Sequence, residues 1–332
     1  MKACVIGDGG WGTALATILR SNGLDVSVWG SFENILDDIR TSGENTRYLP
    51  GIPLQPDLVW TSNREQAVAD CAVVVLAVPS KFYRDVMHSF QGLISSEQAV
   101  VSVAKGIDKL TYQRMSEVAE EELDHPAVAA LSGPSHAEEV AKGVPSAVVV
   151  ACDDSARRDT LQQAFNLPTF RVYTSDDVIG VELGGAMKNV IAIAAGISDG
   201  IGFGDNTKAA LITRGLAEMT RLGVALGAHP STFSGLSGIG DLIVTCASQL
   251  SRNRGVGERL GRGETTQQIM DSMVQVAEGV WNCTTAVELA SKQGVDVPIA
   301  EEVHQVVHEG KDPREAVQAL LTRDPKPERD RV

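Results

Sequence analysis

Residues Lys2-Ala3-Cys4-Val5-Ile6-Gly7-Asp8-Gly9-Gly10-Trp11-Gly12-Thr13 pass from an apolar run, through a glycine turn, into the helical pattern Thr13 to Leu19. The glycines follow Gly-x-Gly-x-x-Gly between a strand and a helix, the context in which each acquires a mechanism. Gly7 permits a tight turn, Gly9 lets the backbone approach a pyrophosphate, and Gly12 lets helix and strand pack closely. The helix N-terminus then meets the phosphates with free N–H groups. The stretch therefore reads as the start of a dinucleotide-binding domain.

Working outward, Lys2 to Ile6, Asp25 to Trp29, Ala72 to Val78, Ala99 to Val103, Val128 to Leu131 and Ala147 to Ala151 read as strands, separated by helical patterns. Continuous apolar runs are what a parallel sheet buried on both faces requires, and strands alternating with helices give a doubly wound α/β domain. Past a last extended piece, Phe170 to Tyr173, the character changes to long Ala-, Leu- and Gly-rich segments such as Thr207 to Gly227. The expected architecture is an N-terminal Rossmann-like doubly wound parallel sheet (1–180), an all-helical C-terminal domain (181–322) and a flexible tail (323–332).

The bulk numbers agree with two domains, because 332 residues exceed the usual ceiling of about 250 to 300 for one hydrophobic core. A net charge of −14 argues against nucleic acid or stable membrane association as a role, since both partners need clustered Lys and Arg. An anionic substrate must then be held by a local basic pocket. The five cysteines are widely spaced with no Cys-x-x-Cys pair, which predicts neither a disulfide framework nor a zinc site and suits a reducing cytoplasm. No apolar run approaches the ~20 residues of a membrane span, and with an apolar segment and glycine turn directly after Lys2 no cleavable signal is expected.

Chemistry-bearing residues fall in loops at strand ends and helix starts, where ligands bind in doubly wound folds. Lys105 stands just past a strand. Leu131-Ser132-Gly133-Pro134-Ser135-His136-Ala137-Glu138 runs from strand to helix, and Ser135 with Glu138 predicts a capping box whose free donors can also receive a polar ligand. In Glu182-Leu183-Gly184-Gly185-Ala186-Met187-Lys188-Asn189, Gly184 and Gly185 share a helix face with Lys188 one turn away. Two adjacent helical glycines cost about 1 kcal/mol each, so they are expected to clear space beside the amine for substrate and nicotinamide. Gly235 to Leu242 is a glycine-rich loop bearing Asp241. Ser251-Arg252-Asn253-Arg254 offers a hydroxyl, an arginine fork, an amide and a helix N-terminus, the ingredients of a phosphate site.

About 20 residues past the glycine turn, where an acid would bind the ribose of NAD or an Arg the phosphate of NADP, the chain reads Trp29-Gly30-Ser31-Phe32-Glu33. That leaves the choice between NAD and NADP open, with Ser31 the expected contact. Asp8, inside the phosphate loop, would repel the pyrophosphate unless it points away. His304 and His308 share one helix face, but with no Glu between them a solvated helix is expected there, not a metal site.

Taken together the segments resemble the NAD(P)-dependent glycerol-3-phosphate dehydrogenase family of the bacterial type. The likeness runs from Gly7 through Ser132 to Ser135, Gly184 to Ala192, Ser198 to Gly204 and Leu236 to Leu242, ending at Ser251 to Arg254. It implies hydride exchange between sn-glycerol 3-phosphate and dihydroxyacetone phosphate with NAD or NADP, supplying glycerol 3-phosphate for glycerophospholipid synthesis. It implies Lys188 as the proton acceptor, with Lys105, Gly133, Ser135, Asp241, Ser251, Arg252 and Asn253 around the substrate. It further implies Gly10, Trp11, Ser31, Tyr48, Lys105, Ala137, Arg252, Val276 and Glu278 along the cofactor. Asp8 and Ser31 depart from the residues usual in the family and bear on cofactor affinity and preference.

Two rival readings are weaker. Related hydroxy-acid dehydrogenases carry an Asn one turn after the helix lysine, where this chain has Ala192. A non-catalytic nucleotide-sensing protein would be expected to have lost Lys105, Lys188 or Asp241, and all three are present. A homodimer is the default expectation for an enzyme of this kind.

Overall fold

A computed structural model describes residues 1–325, 327 and 328. Eight strands form one sheet: β1 (Lys2–Ile6), β2 (Asp25–Trp29), β3 (Val59–Thr61), β4 (Val73–Leu76), β5 (Ala99–Ser102), β6 (Val128–Ser132), β7 (Ser146–Ala151) and β8 (Phe170–Ser175). Their order is β3-β2-β1-β4-β5-β6-β7-β8. Ala3, Cys4, Val5 and Ile6 are all fully buried, as expected of a central strand covered on both faces. The order reverses between β1 and β4, which opens a crevice at the C-terminal strand ends where the glycine turn lies.

The sheet departs from the expected all-parallel arrangement in one respect. β1 to β6 are parallel to their neighbours, but β7 runs antiparallel to β6, and β8 is parallel to β7. Between β6 and β7 the chain forms only the short Ala137–Ala141 helix, too little for the full crossover that a parallel return needs. β3 was also not expected; at three residues it is too short to show a period.

Helices follow β8. The 24-residue helix Val178–Ile201 is almost wholly buried and is surrounded by Asp205–Ala225, Asp241–Ala247, Arg252–Gly261, Gly279–Gln293 and Pro298–His308. It is apolar and long enough to cross a bilayer by composition, contrary to the expectation that no segment is, yet 89% of its most apolar window is buried inside the fold. Gly196 and Gly257 bring it against Arg252–Gly261 backbone to backbone: a Cβ at either would lie 2.0 Å from a carbonyl oxygen of the other helix.

The helix is pinned at its start. Asp177 accepts from Gly180 N at 2.8 Å and from His229 N at 3.0 Å, and Thr232 Oγ1 also donates to it. One turn on, buried Glu182 accepts from Ser116 N at 2.8 Å, Ser116 Oγ at 2.6 Å and Arg114 Nη1 at 2.7 Å, all at the start of the Met115–Leu123 helix on the sheet side. Removing Glu182 would leave Ser116 N, Ser116 Oγ and Arg114 Nη1 without their acceptor, although Arg114 keeps Glu117 at 2.8 Å, at a cost of about 3–5 kcal/mol. Glu182→Ala is therefore expected to lower the free energy of unfolding by that amount, read as a lower urea midpoint at unchanged m-value; a change under about 1 kcal/mol would show that the two halves do not depend on this tie.

His304 is half-buried, whereas His308 is exposed as expected of a solvated face. Their rings pack on the Gly279–Gln293 helix, His304 Nδ1 lying 3.1 Å from Thr284 Oγ1 and His308 Nε2 2.7 Å from the Val280 carbonyl, with Cys283 alongside. All five cysteines are buried free thiols. Of the tail expected to be flexible (323–332), residues 326 and 329–332 lie outside the described residues. Arg323 pairs with Asp296 at 2.8 Å.

Candidate active site

The C-terminal ends of the strands face the long helix, and between them four of the expected residues meet. Lys105, beyond β5, donates to Asp241 Oδ2 at 2.7 Å and to the Gly133 carbonyl, beyond β6, at 3.2 Å. Lys188, 5% exposed on the long helix, donates to Asp241 Oδ1 and, at 2.9 Å, to Thr245 Oγ1. Asp241, 1% exposed, opens the helix Asp241–Ala247 and so carries Thr245 on the same face one turn later. Thr245 Oγ1 is itself fixed on the Asp241 carbonyl at 2.6 Å.

One buried carboxylate thus holds two lysines. Burial pushes the Lys188 amine down to about 7 and the positive charge of Lys105 adds to that, while Asp241 acts in the opposite direction. Burial alone would raise Asp241, but the two lysines outweigh it and keep the carboxyl below its ordinary range. The arrangement is an amine able to gain or lose a proton near neutrality, held by an anion that stays ionised. His136 is the group nearby that sequence reasoning quoted without assigning a role. Burial, then Lys188, lowers its pKa, and among the described residues its Nε2 is buried without a partner.

Two local expectations are corrected. The Ser135–Glu138 capping box does not form: the helix starts at Ala137 after His136, and Ser135 Oγ donates to the Gly133 carbonyl at 2.9 Å. Nor do both helix glycines clear open space. A Cβ on Gly184 would lie 2.5 Å from the Ser237 carbonyl, so Gly184 admits the Leu236–Gly240 turn that delivers Asp241. At Gly185 a Cβ would lie 2.8 Å from Ser132 Oγ and 3.4 Å from Lys105 Cγ, so the room there is taken by Ser132 and the Lys105 stem.

Beside this cluster, Ser251 caps the helix Arg252–Gly261 by accepting from Arg254 N at 3.2 Å, as its sequence suggests. Arg252 is exposed, with Nη1 donating to the Val276 carbonyl at 2.9 Å. Asn253 is engaged at both ends of its amide: Nδ2 donates to Asn189 Oδ1 at 3.0 Å and Oδ1 accepts from Gly279 N at 2.8 Å. Its side chain therefore secures the helix start, and its backbone N–H is the group left for a ligand. Asn189 and Asn282 were missed as site residues. Asn189 lies next to Lys188, and Asn282 donates to the Lys105 carbonyl at 3.0 Å with no sequence signal to mark it.

The glycine turn meets the requirements of a dinucleotide. Gly7 has φ +121°, and Gly12 packs so tightly on it that a Cβ would lie 2.1 Å from its carbonyl oxygen, whereas a Cβ on Gly9 would meet nothing within 4 Å. Backbone at Gly9 is thus open to a ligand, at the N-terminus of the helix Gly10–Ser21. Among the described residues Trp11 Nε1 is a buried donor with no acceptor, and a phosphate or ribose oxygen would satisfy it. Around the turn stand Tyr48, whose carbonyl would lie 2.5 Å from a Cβ on Gly10, and Ala137 at 3.9 Å. Ser31 is exposed beyond β2. Glu278 bridges to the loop after β4, accepting from Ser80 N at 3.0 Å and from Ser80 Oγ.

Residues 2–158 match the family model of the NAD-dependent glycerol-3-phosphate dehydrogenase N-terminus, and residues 177–318 that of the C-terminus. A glycerol-3-phosphate dehydrogenase (NAD(P)+) of Anaeromyxobacter sp. (strain K) is 51% identical over 99% of this chain and 100% of its own. That of Geobacter sp. (strain M21) is 49% identical over 98% of each. Among solved structures, glycerol-3-phosphate dehydrogenase from Coxiella burnetii superposes with a TM-score of 0.93 at 38% identity, over 97% of this chain and 99% of that one. A ketopantoate reductase from Ralstonia eutropha, at 15% identity and TM-score 0.62 over 96% of this chain and 100% of its own, shares the fold alone.

Proposed function

The chain belongs to the NAD-dependent glycerol-3-phosphate dehydrogenase family, and on that premise we propose that Lys188 is the proton carrier in interconverting sn-glycerol 3-phosphate and dihydroxyacetone phosphate. The observation that carries the assignment is the buried amine of Lys188, held by Asp241 and Thr245 and pushed down to about 7. The nicotinamide, NAD or NADP, supplies the acceptor or donor of hydride when bound.

The chain's own residues handle the rest. In alcohol oxidation the neutral Lys188 amine takes the hydroxyl proton, and Asp241, already ionised, stabilises the ammonium that forms. In ketone reduction the same ammonium returns the proton to the developing alkoxide. Lys105, which shares Asp241 with Lys188, would meet the same oxygen, with Gly133 and Ser135 in the loop beside it. The phosphate end is received at the start of the helix Arg252–Gly261, by the Arg252 fork, the Ser251 hydroxyl and the backbone N–H of Asn253. Gly7, Gly9, Gly10, Trp11, Gly12, Ser31, Tyr48, Ala137, Val276 and Glu278 border the cofactor. On this reading 1–180 is the cofactor half and 181–322 the substrate half. Its five free, buried thiols suit a cytoplasmic enzyme, and supply of glycerol 3-phosphate for phospholipid synthesis is its expected role.

The test is the absorbance change of NADH and NADPH with dihydroxyacetone phosphate against unphosphorylated dihydroxyacetone. Turnover that requires the phosphate, with kcat/KM at least about 10³-fold higher, is the expected result; equal use of both ketones would overturn the phosphate site.

A further inference from the structure

Doubly wound dinucleotide sites hold the adenosine ribose with an acid at the end of the second strand. Here β2 ends in Trp29 and is followed by Gly30, which has no side chain to offer. The space is nevertheless filled by a carboxylate. A Cβ built on Gly30 would lie 2.7 Å from Asp8 Oδ2 and 2.8 Å from Asp8 Cγ. Asp8 thus does point away from the pyrophosphate, across the glycine turn to the end of β2.

Its aim is set by the backbone. The Asp8 carbonyl is gripped by Asn45 Nδ2 at 2.8 Å and by Thr13 Oγ1 at 3.5 Å, and Asn45 Nδ2 also donates to Thr13 Oγ1 at 2.8 Å. One oxygen of the carboxylate, by contrast, is left over: among the described residues Oδ2 is buried and accepts no hydrogen bond. Buried acceptors in folded proteins are nearly always paired, so an orphan at a cofactor cleft indicates a donor supplied by the ligand. Burial raises its pKa, and a bond from its own backbone N–H, then the Arg47 cation, partly oppose that rise.

We propose that Asp8, reaching from the glycine turn under Gly30, accepts the ribose hydroxyls of the adenosine half and makes this chain prefer NAD over NADP. The proposal rests on the dinucleotide reading of the cleft given above. The 2′-hydroxyl of NAD is a donor and satisfies Oδ2. The 2′-phosphate of NADP places a dianion against a carboxylate with little water between them, a juxtaposition that costs affinity even with Arg47 nearby.

The experiment is equilibrium binding of NADH and NADPH to the intact chain, followed by quenching of tryptophan fluorescence and checked by calorimetry. Wild type should bind NADH at least about tenfold tighter than NADPH, the value of one charge-assisted hydrogen bond gained or lost. Asp8→Asn keeps the shape and removes the charge, and should weaken NADH and strengthen NADPH so that the ratio falls about tenfold or more. Asp8→Ala, which makes no polar contact at all, should move the ratio in the same direction. Wild type that favours NADPH, or variants that bind well with an unchanged ratio, would overturn the assignment to Asp8 alone. Failure of wild type to bind either nucleotide would overturn the dinucleotide reading and this assignment with it.

Discussion

Lys188→Ala should lower kcat by about 10³- to 10⁴-fold in both directions while leaving the dissociation constant for NADH within about twofold of wild type. The glycine turn that receives the dinucleotide does not depend on this side chain, whereas the reacting oxygen would lose its proton partner. The wild-type pH dependence gives an independent reading of the same group. Burial pushes the amine down to about 7, so the neutral form needed to accept a proton is scarce below that pH and dominant above it. Alcohol oxidation should therefore rise as pH increases through about 7, and ketone reduction, which needs the ammonium, should fall over the same range. Lys188→Arg keeps the cation but cannot release its proton near neutrality, so it should fail as a base and show no such limb in oxidation. Substantial turnover by Lys188→Ala with the wild-type pH profile would sink the assignment.

What the sequence revealed and what it hid divide along physical lines. A buried parallel strand writes itself as an apolar β-branched run, so β1, β2, β4 and β5 are plain from residues such as Val73 to Leu76. The direction of a strand leaves no such trace: β7 is as apolar as its neighbours, and only the short connection after β6 reveals that it runs the other way. Lys188, Lys105 and Asp241 were legible because their loops and glycines are chemically distinctive, yet their convergence on one carboxylate is a matter of tertiary placement. Gly184 shows the converse failure. Its helical cost was real, but the space it frees is taken by the Leu236–Gly240 turn instead of a ligand. Thr245 could have been found as the residue one helical turn after Asp241. The destination of Asp8 could not, since nothing in its local sequence says that Gly30 lies across the turn from it.

Arg252→Ala should raise the KM for dihydroxyacetone phosphate by about 10²- to 10³-fold and change kcat much less. Arginine meets a phosphate through two parallel charge-assisted hydrogen bonds, each worth about 1.5–3 kcal/mol, and about 1.4 kcal/mol is a factor of ten. Three features support giving it this role. It is the first residue of the helix Arg252–Gly261, where unpaired backbone N–H groups and the helix dipole favour an anion. Its guanidinium is already oriented by one bond to the Val276 carbonyl, leaving further donors for a ligand. It also follows Ser251 and precedes Asn253, whose side chains are occupied by Arg254 N, Asn189 and Gly279, so among these three side chains it has the most donors left. Arg252→Lys should recover only part of the loss, because a point charge cannot reproduce the fork. The deciding comparison is with unphosphorylated dihydroxyacetone: Arg252→Ala should collapse the preference for the phosphorylated ketone and leave the poor turnover of the other unchanged. If both ketones lose activity equally, Arg252 acts through the cleft's structure and the phosphate is gripped elsewhere.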